Sequence, residues 1–248
     1  MSIDNKKNPI ETLEVGADTP EASRGHAERL AEEWQLAEDT FNGESVKHTI
    51  SIFGSARIPN PEIKGEESDC AHMSPFYAQA RELSFQLGQY IEEHHQHDTR
   101  LITGGGPGIM EAASRGAFEA GHASIGLNIV IPREQKLNPF IAAKHSIEFQ
   151  YFALRKMHFL KRARALIVFP GGFGTLDELF ETLTLIQTKK MARIPVILYG
   201  CDFWNRLLDF NVLSECGLID QENLALYHVV DNVEEAFNAI KPVLDALK

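Results

Sequence analysis

The chain has 248 residues, of which 44% are hydrophobic, and its formal net charge is -11 at pH 7. A chain of this length and composition can bury one large core and carry a small appendage. Its acidity opposes non-specific attraction to nucleic acid and to anionic lipid, so we expect neither as a main partner.

The cysteines and the N-terminal segment indicate a cytoplasmic protein. Cys70, Cys201 and Cys216 are scattered and form no Cys-x-x-Cys pair, which argues against a disulfide framework or a thiolate zinc site. Residues 1–20 are polar, and no apolar stretch approaches the ~18 residues of a membrane span. We therefore predict a protein of a reducing compartment without a signal peptide or a membrane segment.

Residues 1–45 are predicted to precede the main domain. We interpret residues 1–20 as a flexible leader. Apolar residues recur at roughly helical spacing between Glu21 and Phe41, which predicts an amphipathic helix that covers a neighbouring element or a partner subunit. Residues 46–248 are predicted to form one main domain.

Short apolar segments alternate with helical segments along the main domain. Strands are predicted within HTISIFGS, TRLITGGGPG, ASIGLNIVIP, HSIEFQ, RALIVFPGG, IPVILYG and YHVVD. Helices are predicted near Ser74, within IMEAASRGAFEAG, ALRKMHFLKRA and TLDELFETLTLIQ, from Asp202 to Ser214, and from Asn232. This alternation predicts an α/β fold, a Rossmann-like doubly wound parallel sheet with helices on both faces and an N-terminal helical extension.

A first glycine loop, with Gly104, Gly105, Gly106 and Gly108, follows a predicted strand and precedes a helix. Bare backbone N–H groups and a helix N-terminus bind anions in this context, at the sheet edge where ligands of such folds lie. Position 109 is isoleucine, so the spacing is not G-x-G-x-x-G, and no P-loop motif occurs. The alternative is a tight turn that requires positive φ.

A second glycine loop, PGGFGT, is predicted at the same edge of the sheet. Its three glycines permit close approach of a ligand, and Thr175 is predicted to cap the following helix while the first N–H groups face a phosphate. Two such loops at one edge suggest a single ligand of the size of a mononucleotide.

Arg155 and Lys156 lie between the two loops, in YFALRKMHF. An arginine fork suits phosphate or carboxylate oxygens, so the pair is a candidate for ligand binding. The alternative is an ordinary exposed helix with basic residues. The histidines of EEHHQHD are interpreted as a solvated helix end rather than metal ligands.

Glu178 has two interpretations. Thr175 and Glu178 fit a T-x-x-E capping box, which stabilises a helix by about 1 kcal/mol and is the favoured interpretation on the residues alone. A carboxylate one turn into a helix that begins at a phosphate loop would instead face the sugar of a nucleotide. There it would orient water or stabilise positive charge as a glycosidic bond breaks, with Asp177 only stabilising the helix.

The motifs resemble those of a known family. PGGFGTLDE matches the PGGxGTxxE signature of the Lonely Guy family, the cytokinin riboside 5′-monophosphate phosphoribohydrolases, and GGGPGIMEAA is similar to its first glycine loop. The resemblance extends from about Thr49 to Tyr199. Phe152 and Ala153 stand where plant members often carry Met-His, so the chain more closely resembles the longer bacterial members.

The resemblance implies that residues 46–248 form a nucleotide-binding catalytic domain. This domain would hydrolyse the N-glycosidic bond of a nucleoside 5′-monophosphate, for example AMP or a cytokinin riboside monophosphate, and release free base and ribose 5-phosphate. The resemblance also implies Arg155 and Glu178 as catalytic residues and a homodimer or larger homo-oligomer with the site near the subunit interface. We expect no metal and no cofactor. The implied substrate-binding residues are Gly105, Gly106, Gly108, Glu134, Arg155, Lys156, Gly171, Gly172, Phe173, Gly174, Thr175 and Thr184.

Two other functions remain open at this stage. A non-catalytic nucleotide or cofactor carrier would share the glycine loops without needing Glu178. A regulatory or assembly protein would use the helix between Glu21 and Phe41 and sense the nucleotide rather than hydrolyse it. Many family members have been labelled lysine decarboxylases, but no lysine here stands in a recognisable pyridoxal-phosphate context, so we reject that activity. The preferred base stays open.

Overall fold

A computed structural model describes residues 20–63, 69–130 and 136–247 of the chain. Residues 1–19 of the predicted leader and the candidate Glu134 lie outside the described residues. Within those residues, seven strands form one parallel sheet in the order β4-β3-β2-β1-β5-β6-β7. The strands are β1 His48–Phe53, β2 Thr99–Thr103, β3 Ser124–Ile129, β4 Ser146–Phe149, β5 Ala163–Val168, β6 Val196–Tyr199 and β7 His228–Val230.

The described α-helices alternate with these strands. They are α1 Pro20–Gly43, α2 Pro75–Glu93, α3 Ile109–Glu119, α4 Phe152–Lys161, α5 Phe173–Gln187, α6 Cys201–Leu207, α7 Phe210–Glu215 and α8 Val233–Asp245. The predicted α/β class, the parallel sheet and the N-terminal helix are confirmed.

The central strands are buried on both faces of the sheet. In β5, Leu166 and Val168 join one hydrophobic cluster, whereas Ala165 and Ile167 join the other, as expected from the alternation of side chains along a strand. Residues of α1, α4 and α5 contribute to the first cluster and residues of α2, α3 and α8 to the second. The sheet is therefore doubly wound.

The prediction of one continuous helix from Asp202 to Ser214 is wrong, because the structure has two helices, α6 and α7, over this range. Leu208 is extended, with φ -133° and ψ 124°, and ends α6. Asp209 then caps α7 by accepting a hydrogen bond from the Asn211 N–H at 3.1 Å. The capping aspartate offers the backbone an alternative to a continuous helix.

The strand order places a topological switch point between β1 and β5. The chain passes outward from β1 to β4 and then returns to the other side of β1 as β5. In open α/β sheets, the crevice beyond the carboxyl ends of such strands binds ligands. Here the Ser55 N–H donates to the Pro170 carbonyl at 3.0 Å, and the Ile109 N–H donates to the Ser55 carbonyl at 3.1 Å. The loops after β1 and β5 and the start of α3 are thereby joined.

Replacing Gly108 by alanine should lower the free energy of unfolding by about 3 kcal/mol. Gly108 has φ +69°, and an added Cβ would lie 2.9 Å from the Ala56 Cα and press on the Ser55 carbonyl. Urea-induced unfolding measures the loss. Gly121→Ala is the matched control, because Gly121 has φ +75° but an added Cβ would meet nothing within 4 Å. An equal loss in both variants would contradict the close approach at Gly108.

Candidate active site

A cleft of 710 Å³ opens at the switch point. The loops after β1, β2 and β5 form its walls together with side chains of α4, α5 and α6. A cleft of this size accommodates a ligand of a few hundred daltons. The candidate residues that line it are Arg155, Gly171, Gly172, Phe173, Gly174, Thr175 and Glu178.

Five other candidate residues do not line this cleft, Lys156 among them. Gly105 and Gly106 are buried, and their carbonyls accept hydrogen bonds from Asn138 Nδ2 at 3.1 and 3.2 Å. Gly108 borders a neighbouring cavity of 440 Å³. Thr184 is exposed and lies in a separate groove. The first glycine loop therefore supports the wall of the cleft, to which its Gly104 contributes directly.

The N-terminus of α5 faces the cleft with free backbone N–H groups. Gly172 is the N-cap residue and α5 begins at Phe173. In the described part of the chain, the N–H groups of Gly172, Phe173 and Gly174 have no acceptor. A Cβ at Gly172 or Gly174 would meet nothing within 4 Å, so the backbone is bare on this side. Free N–H groups and the positive end of a helix dipole favour a bound anion.

Thr175 does not cap α5, and the predicted capping box is wrong. The Thr175 N–H donates to the Gly172 carbonyl at 3.0 Å, inside the first turn, and the N-cap makes no side-chain hydrogen bond. Because glycine takes the N-cap position three residues earlier, Glu178 lies in the second turn. The Glu178 carboxylate therefore does not accept a hydrogen bond from the N–H of the N-cap residue.

The Glu178 carboxyl group is buried at the cleft. The residue is 5% exposed, and its Oε2 has no hydrogen-bond partner among the described residues. Burial raises the pKa of Glu178 to about 7, although the charges of Lys156 and Arg155 act to lower it. The group can therefore exchange a proton near neutral pH, as a general acid or base must.

Arg155 supplies a cation to the same cleft. Its Nε donates to the Leu127 carbonyl at 2.8 Å, and its guanidinium lies 5.3 Å from the Phe159 ring centroid. A Cβ at Gly104 would lie 2.6 Å from Arg155 Nη2, so a glycine is required there to admit the side chain. Burial lowers the pKa of Arg155 to about 10, which leaves it charged at neutral pH.

Lys156 points to the surface of α5 instead of the cleft. Its Nζ lies 2.5 Å from Asp177 Oδ2 and 3.1 Å from Glu181 Oε2. These ion pairs join α4 to α5 and hold a positive charge close enough to Glu178 to lower its pKa. Lys156 thus affects the candidate site through its charge, while Asp177 holds Lys156 in addition to extending the helix.

Sequence reasoning missed the loop after β1. Ser55 and Arg57 line the cleft, and the Ser55 hydroxyl accepts a hydrogen bond from the Arg57 N–H at 3.1 Å. Phe152 and Phe203, which the sequence does not indicate as ligand contacts, form an apolar part of the wall. No local pattern indicates that this loop lies beside PGGFGT, because only the strand order brings the two together.

Neither a metal cluster nor a membrane helix is found in the described ranges. Within them, no three His, Cys, Asp or Glu side chains lie together as metal ligands would. None of the helices there combines the length and the apolar character needed to cross a bilayer.

Glu178→Gln should raise the free energy of unfolding at about pH 8 by roughly 2 kcal/mol and change it little at about pH 5. The folded protein holds the Glu178 proton up to a pKa of about 7, whereas the unfolded chain releases it near 4.5, so wild-type stability falls as pH rises between these values. Glutamine removes the buried charge. Denaturant unfolding at both pH values measures the difference.

The control is Glu181→Gln on the same helix. Its carboxylate pairs with Lys156, so no gain is expected at either pH. A helix cap would give the opposite result for Glu178→Gln, a loss of about 1 kcal/mol at the higher pH.

Comparisons with known proteins agree with the motifs. A family profile described as possible lysine decarboxylase matches residues 110–240, more than half of the chain. The chain is 32% identical over 134 residues to a cytokinin riboside 5′-monophosphate phosphoribohydrolase of Arabidopsis thaliana, covering 52% of this chain and 58% of that protein. It is 30% identical over 174 residues to a protein of the same name from Mycobacterium tuberculosis, covering 68% and 89%.

A third relative is the pyrimidine/purine nucleotide 5′-monophosphate nucleosidase of Escherichia coli. It is 30% identical over 190 residues, which cover 69% of this chain and 38% of that protein. The chain therefore spans 58% of the Arabidopsis relative and 38% of the Escherichia coli relative.

Among solved structures, the molybdenum cofactor carrier protein of Chlamydomonas reinhardtii is similar in fold. Its TM-score is 0.52 at 22% identity, covering 80% of this chain and 99% of the carrier. This likeness supports the Rossmann-like architecture alone. From the profile match and the bacterial relative covered over most of its length, the chain belongs to the Lonely Guy family, whose profile is described as possible lysine decarboxylase.

Proposed function

We propose that the protein hydrolyses the N-glycosidic bond of a nucleoside 5′-monophosphate and releases free base and ribose 5-phosphate. The observation that carries the proposal is the buried Glu178 carboxyl group, with a pKa of about 7 and an unpartnered Oε2, beside the free N–H groups of α5. A loop for a phosphate and a proton-exchanging group one turn away suit a ligand whose labile bond lies near its phosphate.

The 5′-phosphate would bind at the N–H groups of Gly172, Phe173 and Gly174. These groups are already arranged in the first turn of α5, so binding requires little ordering of the backbone. The helix dipole adds to the attraction. The phosphate would supply affinity, which leaves Glu178 to act on the reacting end of the ligand.

The reaction itself is a displacement at C1′ of the ribose. As the C1′–N bond lengthens, positive charge develops on the sugar, and the ionised Glu178 carboxylate stabilises it or takes a proton from the attacking water. The water oxygen bonds to C1′, and the base leaves with the bonding electron pair and takes up a proton. Arg155 orients the ligand or the carboxylate and favours the ionised form of Glu178.

A decarboxylase of the pyridoxal-phosphate type fits the cleft less well. Such an enzyme binds its cofactor through a lysine Schiff base. No lysine lines the cleft in the described residues, and the nearby Lys156 pairs with Asp177 and Glu181. The names of the relatives support a nucleotide substrate. The homo-oligomeric assembly implied by the family resemblance stays a prediction.

Glu178→Gln should lower kcat by about 10²-fold or more and leave nucleotide affinity within about twofold, because the amide cannot accept the proton. Chromatography of the base released from a panel of nucleoside monophosphates measures the first, and calorimetry measures the second. Asp177→Asn is the control, since Asp177 lies outside the cleft lining. Full activity of Glu178→Gln would contradict the catalytic role of Glu178. If the wild-type protein bound nucleotides but released no base, a carrier function would be favoured.

The pH profile of kcat should rise to a plateau above about pH 7, because only the ionised Glu178 accepts a proton. Lys156→Met should move this midpoint to higher pH, since the lysine charge lowers the pKa of Glu178. Steady-state kinetics across pH give both midpoints. If Lys156 bound the substrate instead, the variant would raise KM and leave the midpoint in place.

A further inference from the structure

The N-terminus of α4 is capped by another helix. Tyr151 occupies the N-cap position and makes no side-chain cap. The Glu33 carboxylate of α1 instead accepts hydrogen bonds from the Gln150 N–H at 2.9 Å and the Tyr151 N–H at 3.1 Å. A carboxylate at this end of a helix satisfies free donors and interacts favourably with the dipole.

This contact is one residue removed from the candidate active site. The Tyr151 carbonyl accepts the first helical hydrogen bond of α4, from the Arg155 N–H at 3.2 Å. Phe152, the next residue, lines the cleft together with Arg155. Glu33 therefore holds the peptide groups that begin the turn from which both side chains enter the cleft.

α1 also holds the other end of α4. Glu38 accepts hydrogen bonds from both terminal nitrogens of Arg162 at 3.0 Å and lies 2.7 Å from Lys161 Nζ. These partners keep the Glu38 pKa low, at about 2. Trp34 packs against the buried His158 ring with 4.4 Å between centroids. Two acids of α1, Glu33 and Glu38, thus contact the two ends of α4.

We propose that Glu33 is a positioning residue for Arg155, so that α1 is an integral part of the catalytic site. The inference rests on the proposed function for its kinetic consequence. Without the carboxylate, the first turn of α4 would lose two hydrogen-bond partners and fray, as helix ends without caps do. Arg155 would then lose its fixed position in the cleft, whereas the phosphate loop on α5 would keep its own.

The test compares Glu33→Ala and Glu33→Gln with Glu32→Ala. Glu32 is the adjacent exposed acid on α1, so the control removes the same charge from the same helix. Alanine is the better helix former, so α1 itself should remain folded. We expect Glu33→Ala to lower kcat about tenfold with KM within about twofold, and Glu33→Gln, which keeps one acceptor oxygen, to fall between. Glu32→Ala should match the wild type.

Hydrogen exchange provides a readout that does not depend on activity. Peptides covering residues 150–156 should exchange about tenfold faster in Glu33→Ala, while peptides of α5 stay unchanged. Wild-type kcat and exchange in Glu33→Ala would overturn the proposal, and so would faster exchange throughout the protein with a raised KM. If the wild type released no base, the proposed function would fail, and exchange at residues 150–156 would still decide whether Glu33 holds the turn of Arg155.

Discussion

The candidate site depends on the meeting of two strand ends, those of β1 and β5, at the centre of the sheet. The Phe169 N–H donates to the Phe53 carbonyl at 2.8 Å, which continues the β1–β5 ladder to the point where both chains turn. Ser55 then bonds to Pro170 and to the first residue of α3. Three loops from distant parts of the sequence are thereby held together by backbone hydrogen bonds. The chemistry of the cleft can therefore be carried by a few side chains on a fixed frame.

The buried Glu178 carboxyl group lowers the stability of this arrangement. A carboxyl group that is 5% exposed and has an unpartnered oxygen is less stable than an exposed one, and burial is the largest cause of its raised pKa. Such groups persist where the surrounding fold is stable enough to retain them, and they concentrate at functional sites. The positive charges of Lys156 and Arg155 favour the ionised carboxylate and so reduce this loss of stability. Lys156 is paired with acids on α5, whereas Arg155 lies within the cleft.

Local patterns predicted the strands and most helices because apolar runs and glycine loops depend on neighbouring residues. The PGGFGT segment was placed correctly at the edge of the sheet for this reason. The N-cap residue of α5 was predicted wrongly, because the T-x-x-E spacing fits a capping box that begins at Thr175. Only the path of the backbone places Gly172 at the N-cap position. The contact of Glu33 with Tyr151 spans more than a hundred residues, and no local pattern indicates it. The same holds for Arg57, whose place in the cleft follows from the strand order.

Three helices begin near the cleft, and the occupation of their N-termini differs. The first N–H of α3, at Ile109, donates to the Ser55 carbonyl, and the N–H groups at the start of α4 donate to Glu33. At α5, the N–H groups of Gly172, Phe173 and Gly174 have no acceptor in the described part of the chain. An anion is therefore attracted to α5 and repelled from α4, where a carboxylate is already bound. In the proposed function, this difference would orient the nucleotide, with its phosphate at α5 and its sugar toward the next turn of the same helix.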